Sequence, residues 1–128
     1  IMVVAVYPGS FDPITKGHLD IVQRASLLFD TVWMAVANNS AKQSVLSMPE
    51  RLELVKQSVT GLKNVFVAAF DGLTVQFAEQ KQASVLIRGL RALSDFEKEC
   101  AMAQMNKKLA PQVETVFLMA SGEHQFLS

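Results

Sequence analysis

Within the twelve residues Tyr7-Pro-Gly-Ser-Phe-Asp-Pro-Ile-Thr-Lys-Gly-His18 the chain gathers side chains suited to meeting an anion. Ser10 offers a hydroxyl that donates to a phosphate oxygen, and Gly17 lets backbone approach a ligand closely. Gly9 and Pro13 bracket a tight turn, and a helix starting just beyond it aims its unpaired N-terminal amides at the same turn. His18 precedes Ile21, Val22 and Ala25 by three, four and seven residues, so it shares their inward helical stripe and points at the ends of neighbouring strands. A histidine on such a face is often a structural residue; the adjacent Gly17 and the Gly-Ser turn favour a ligand here.

A second basic cluster is Arg88-Gly-Leu-Arg91. Arg88 closes an apolar run, where an unpaired guanidinium is costly, so it needs either a carboxylate from Asp95 or Glu97 or a phosphate. Two arginines around Gly89 tilt the balance to phosphate. Lys42, in segment 38–45, is a flexible ammonium able to follow a moving phosphate, a property any exposed loop lysine shares. Asp12 and Asp71 form no ligand cluster with a histidine, so the sequence shows no metal cage made by protein groups alone.

These residues need a scaffold, and hydropathy supplies one. Segments 3–7, 32–37, 65–70, 84–87 and 115–119 are short apolar runs rich in Val, Ile and Phe, as strands buried on both faces require. Between them, 19–29 and 49–60 carry apolar residues at helical spacing, 73–82 does so more weakly, and 95–109 runs until Pro111 stops it. Ser47-Met-Pro-Glu50 and Ser94-Asp-Phe-Glu97 read as capping boxes, and Gly61 as a C-cap. The resulting βαβαβαβαβ order predicts an α/β fold, a doubly wound, Rossmann-like parallel five-stranded sheet with helices on both faces. Ligands of such sheets bind beyond the carboxyl ends of the strands where strand order reverses. The segments expected there hold Ser10, Lys42, Thr74, Arg88 and Arg91.

Composition excludes several classes. At 128 residues and 50% apolar the chain suits one soluble domain with a real core. Twelve basic and twelve acidic side chains cancel, so no global field draws it to nucleic acid or an anionic membrane. No apolar run reaches the roughly 20 residues that span a bilayer, and no cleavable leader is evident, so the expected location is the cytoplasm. Cys100 is the single cysteine, which removes intramolecular disulfides and reads as a small packed hydrophobe.

Thr15-Lys-Gly-His18, one turn after Pro8-Gly-Ser-Phe-Asp-Pro13, resembles the [T/H]xGH signature of the nucleotidyltransferase superfamily. The full stretch, with Val85-Leu-Ile-Arg-Gly-Leu-Arg91, Asp95-Phe-Glu97 and Phe117-Leu-Met119, resembles bacterial phosphopantetheine adenylyltransferases from about Met2 to Ser128. The resemblance implies conversion of ATP and 4′-phosphopantetheine to dephospho-coenzyme A and pyrophosphate, with Mg²⁺ arriving on the triphosphate. It implies a catalytic His18 and a phosphopantetheine side formed by Ser10, Lys42, Thr74 and Arg88. It implies an ATP side formed by Ser10, Phe11, His18, Gly89, Leu90, Arg91, Glu99, His124, Gln125, Phe126, Leu127 and Ser128. A solvated carboxylate at Glu99 and a solvated loop imidazole at His124, where relatives often carry an aromatic residue, are the bland alternatives. Dephospho-coenzyme A or coenzyme A is implied as product or inhibitor, and a homohexamer as the assembly. In the family the chain continues past the position of Ser128 into a Ser-rich triphosphate loop and closing helices, so residues 1–128 correspond to a single nucleotidyltransferase domain lacking that part. The competing readings are another enzyme of the same fold, acting on nicotinamide mononucleotide or using CTP, and a non-catalytic nucleotide-binding module. The former usually carries His where this chain has Thr15.

Overall fold

A computed structural model describes residues 2–38, 43–90 and 96–120. Nine elements alternate without exception: β1 (Val4–Gly9), α1 (Lys16–Leu28), β2 (Thr31–Ala37), α2 (Met48–Ser58), β3 (Val65–Phe70), α3 (Thr74–Gln80), β4 (Val85–Leu90), α4 (Phe96–Leu109) and β5 (Glu114–Met119). All strand pairs are parallel, in the order β3-β2-β1-β4-β5. The chain therefore winds outwards from β1 through β2 to β3, then returns to the other side of β1 for β4 and β5. The reversal lies between β1 and β4, and the doubly wound architecture expected from the alternation is the one observed.

The strands split their side chains between two cores with period two. Ala5 and Tyr7 of β1, Val32, Met34 and Val36 of β2, and Val85 and Ile87 of β4 pack with Ile21, Val22 and Ala25 of α1 and Val55 of α2. On the opposite face Val6, Ala35 and Leu86 pack with Val75, Phe77 and Ala78 of α3. The right-handed crossover rule requires this placement, since a helix that follows outward winding and one that follows the return must lie on opposite faces.

Helix ends show where local chemistry was legible and where it was not. Ser47 Oγ accepts the Glu50 amide while Glu50 Oε1 accepts the Ser47 amide at 3.0 Å, so the first capping box is real. Ser94 of the second lies outside the described residues. Gly61 does not cap α2: that role falls to Val59, and Gly61 lacks the left-handed backbone of a glycine cap. Helix α3 instead ends in a Schellman arrangement built on a glutamine. Gln82 sits at φ 57, its amide bonds the Glu79 carbonyl, and the Ala83 amide bonds the Ala78 carbonyl at 2.8 Å. At the amino end of the sheet, Asn64 Nδ2 donates to the carbonyls of Ser26, Phe29 and Asp30, closing the last turn of α1.

Left-handed backbone at a residue with a Cβ costs about 1 kcal/mol. Gln82→Gly is therefore expected to raise stability by about 0.5–1 kcal/mol, the gain trimmed by the looser unfolded chain. The midpoint of urea unfolding should rise with no change in slope; an unchanged or lower midpoint contradicts the assignment.

Candidate active site

Strand β1 delivers Tyr7, Pro8 and Gly9 to the carboxyl edge of the sheet beside the end of β4. The next residue but one, Phe11, adopts φ 45 yet is only 1% exposed. Its ring packs edge-on against Tyr7 at 5.4 Å between centroids and against His18 at 4.9 Å. Strained backbone of this kind costs about 1–3 kcal/mol, and burying a Phe side chain returns about 1.5–3 kcal/mol. Gly9 makes room for this ring: a Cβ there would stand 3.1 Å from Phe11 Cζ and 3.2 Å from Cε2. Its glycine identity thus serves a close contact at a strand end, a different reason from the turn flexibility expected from the sequence. With its ring buried, Phe11 has only backbone groups to offer a nucleotide.

Thr15 caps α1 and His18 occupies the third helical position. The pair reproduces a capping box with an imidazole in place of the usual carboxylate. The His18 amide donates to Thr15 Oγ1 at 3.3 Å, and the Thr15 amide donates to His18 Nδ1 at 3.0 Å. A backbone N–H can only donate, so Nδ1 is an acceptor and the proton of the neutral ring resides on Nε2. The motif thereby selects a tautomer as well as a position. Gly17, between the two, is not demanded by the protein's own packing, since a Cβ there would meet only Thr15 Oγ1 at an ordinary 3.6 Å.

Tyr7 joins the histidine to the arginine loop. It is 5% exposed, and its ring centroid lies 6.5 Å from that of His18. Burial pushes its phenol well above the ordinary range, with the nearby Arg88 charge opposing in part and Asp20 reinforcing, so the group is a neutral hydroxyl. Across the strand boundary a Cβ on Gly89 would come within 3.4 Å of Ile21 and 3.8 Å of Tyr7 Oη. Arg88 Nε and Nη2 donate to Glu99 Oε1 and Oε2 at 2.8 and 3.1 Å. The carboxylate partner is thus Glu99 and not Glu97, which is exposed, or Asp95, which lies outside the described residues. The Glu99 hydrogen bond raises the guanidinium's pKa, and the Arg88 hydrogen bond lowers the Glu99 carboxyl's. The pair uses two of the five guanidinium donors and fixes the plane of the remainder. Leu90 is buried, and its carbonyl accepts the Ala120 amide at 2.9 Å.

The structure therefore brings Ser10, Phe11, His18, Arg88, Gly89, Leu90 and Glu99 to the β1/β4 reversal. Thr74 opens α3 four residues past the end of β3, the strand two places from β1. Lys42, Arg91, His124, Gln125, Phe126, Leu127 and Ser128 lie outside the described residues. Three residues that contact this arrangement were given no role in it by the sequence: Tyr7, Asp12, which was weighed only as a metal ligand and set aside, and Arg51. Arg51 had a visible signal, since it falls four and eight residues before Val55 and Val59 on the buried face of α2 and is itself 3% exposed.

A family model described as cytidylyltransferase-like matches residues 6–128. A phosphopantetheine adenylyltransferase of Nostoc sp. is 58% identical over 98% of this chain and 65% of its own length. That of Desulforudis audaxviator is 55% identical over 99% of this chain and 78% of its own. This chain belongs to the phosphopantetheine adenylyltransferase family. Among solved structures, a Vibrio parahaemolyticus protein assigned as a nicotinate-nucleotide adenylyltransferase superposes with TM-score 0.71 at 18% identity, covering 98% of this chain and 78% of that one. At that identity the likeness shows the shared fold alone. The chain spans about two thirds of the Nostoc relative.

The Thr15 clamp has a direct spectroscopic consequence. Nitrogen chemical shifts of His18 at a pH where the ring is neutral should show Nε2 protonated and Nδ1 bare. Thr15→Val, which keeps the amide donor and removes the hydroxyl, should retain that tautomer; a dominant Nδ1–H form in the unmodified protein contradicts the geometry.

Proposed function

We propose that this chain is the nucleotidyltransferase domain of an enzyme joining ATP to 4′-phosphopantetheine, giving dephospho-coenzyme A and pyrophosphate. The observation that carries the reading is the convergence of the Ser10 turn, His18 and Arg88 at one strand reversal, linked through Tyr7. The names of the relatives supply the substrates.

In this reaction an oxygen of the pantetheine phosphate bonds to the α-phosphorus of ATP while the bond from that phosphorus to the β-bridging oxygen breaks, and pyrophosphate leaves with the electron pair. The nucleophile is already an anion, so no general base is needed. What the protein must supply is alignment and stabilisation of charge growing on the α-phosphoryl oxygens. His18, with its proton on Nε2, is a hydrogen-bond donor for those oxygens. Ser10 aligns the attacking phosphate, Lys42 and Arg88 hold it, and Thr74 lines the pantetheine arm. Arg91, Glu99 and the backbone of Phe11, Gly89 and Leu90 serve the nucleotide, together with 124–128. Glu99 also fixes the plane of Arg88 on the phosphopantetheine side.

Mg²⁺ supplies charge neutralisation of the triphosphate when bound. Among the described residues no three His, Cys, Asp or Glu converge on a point, and Asp12 already accepts two backbone amides. That donor set fits a hard cation carried on phosphate oxygens and its own waters. No helix among the described residues is long and apolar enough to cross a membrane; the location proposed with these water-soluble substrates is the cytoplasm. Helix α4 leaves Phe96, Met102, Met105 and Leu109 exposed, an apolar surface fitting the homohexamer that the resemblance implies. Dephospho-coenzyme A or coenzyme A would compete at the same site as product or inhibitor.

Pyrophosphate release from ATP should require 4′-phosphopantetheine, and nicotinamide mononucleotide should not replace it. His18→Ala should lower kcat by about 10² to 10³ while ATP still binds. Unchanged turnover in that variant, or release without phosphopantetheine, contradicts the proposal.

A further inference from the structure

Two contacts tie the Ser10 turn to the neighbouring β2–α2 connection, and neither belongs to the substrate-facing set. On one side, Arg51 of α2 is 3% exposed and donates from Nη1 to the Ser10 carbonyl at 3.0 Å and the Ala37 carbonyl at 3.1 Å. These carbonyls lie just past the end of β1 and at the last residue of β2, so a single nitrogen bridges the exits of adjacent strands. On the other side, Asp12 Oδ2 accepts the Val45 amide and Oδ1 the Leu46 amide, each at 2.7 Å. Short charge-assisted bonds of this kind are stronger than neutral ones.

Arg51 is expensive. Its Nε is buried with no hydrogen-bond partner, and among the described residues no carboxylate pairs with it. A buried guanidinium held, among the described residues, by carbonyls alone costs free energy that an apolar residue at this position of α2 would not incur. Stability alone therefore does not account for its presence. What it does uniquely is fix a turn whose backbone conformation is itself strained at Phe11. It also places a full positive charge in low dielectric directly behind Ser10, where it favours an anion in front.

We propose that Asp12 and Arg51 are positioning residues, a two-sided clasp that holds the Ser10 turn in the geometry that receives the phosphate of 4′-phosphopantetheine. This rests on the proposed function for the identity of the ligand. Asp12 ties the turn to the start of α2 through Val45 and Leu46, and Arg51 ties it to β2 through Ala37. Neither side chain touches substrate; both act through the orientation of Ser10 and its amide. Weakening the clasp should degrade recognition of the phosphate group while leaving recognition of the pantetheine arm alone.

The test uses Asp12→Asn, which keeps the shape but replaces one acceptor by an NH₂ facing a backbone donor, and Arg51→Lys, which keeps the charge but is one atom too short to bring its nitrogen to the position of Nη1 between the two carbonyls. Hydrogen exchange of the Val45 and Leu46 amides reads the clasp without any ligand. Calorimetric affinities for 4′-phosphopantetheine and for pantetheine read its consequence. Each variant is expected to weaken phosphopantetheine about 10-fold and to leave pantetheine within about 2-fold, and Asp12→Asn to speed exchange of both amides at least about 10-fold. Asn64→Ala, destabilising but at the opposite end of the sheet, is the control and should leave the ratio of the two affinities unchanged. Equal weakening of both ligands, a ratio that follows stability in the control as well, or unprotected Val45 and Leu46 amides in the unmodified protein overturns the proposal. An unmodified protein indifferent to the phosphate group sinks the functional reading instead, and the amide exchange then still decides whether the clasp exists.

Discussion

The constraint behind this molecule is the reversal of strand order at the centre of a parallel sheet. Because β1 is paired with β2 on one side and β4 on the other, the connections leaving β1 and β4 travel to opposite faces. Right-handed crossovers then leave the carboxyl ends of these two strands uncovered by either helix layer. Everything assigned to the site follows from that opening. The Ser10 turn issues from one strand, the Arg88 to Leu90 segment from the other, and α1 presents its first turn to both.

Filling the opening takes more than placing donors around it. The polar groups must stay where the ligand will be, and the protein secures each with a contact facing away from the site. Phe11 and Thr15 hold the His18 ring, Glu99 holds the Arg88 plane, and Arg51 holds the Ser10 carbonyl. These arrangements cost stability: a bulky residue at positive φ and a buried guanidinium nitrogen without a partner among the described residues. Such costs are expected where geometry is preorganised for charge that arrives with the substrate. They are carried by the two cores beneath, where strand side chains alternate between helix layers on either face.

Much of this was legible in the residues themselves. Apolar runs and helical spacing located all nine elements, because a sheet buried on both faces demands near-continuous hydrophobicity while its helices need only one stripe. Ser10, His18 and Arg88 stood out because polar groups at the ends of buried strands need a reason. What escaped depends on contacts remote in sequence. Nothing local distinguishes Glu99 from Glu97 as the partner of Arg88, or reveals that Gly9 accommodates a ring two residues later. Tyr7 read as one more member of an apolar strand, and Asp12 was weighed as a metal ligand and set aside with no other role, though its two oxygens accept amides more than thirty residues away. Arg51 was visible as a charge on an apolar stripe, but its acceptors on two different strands were not.

The proposed function requires that phosphate be received at the carboxyl ends of β1 and β4. Backbone amide shifts of the isotope-labelled protein, followed during titration with 4′-phosphopantetheine, test it most directly. The largest changes should fall on Ser10, Gly17, His18 and Gly89, with the amino-end residues Asp30, Asn64 and Ser84 unmoved. The largest changes at that amino end, or along the outer face of α4, would contradict it.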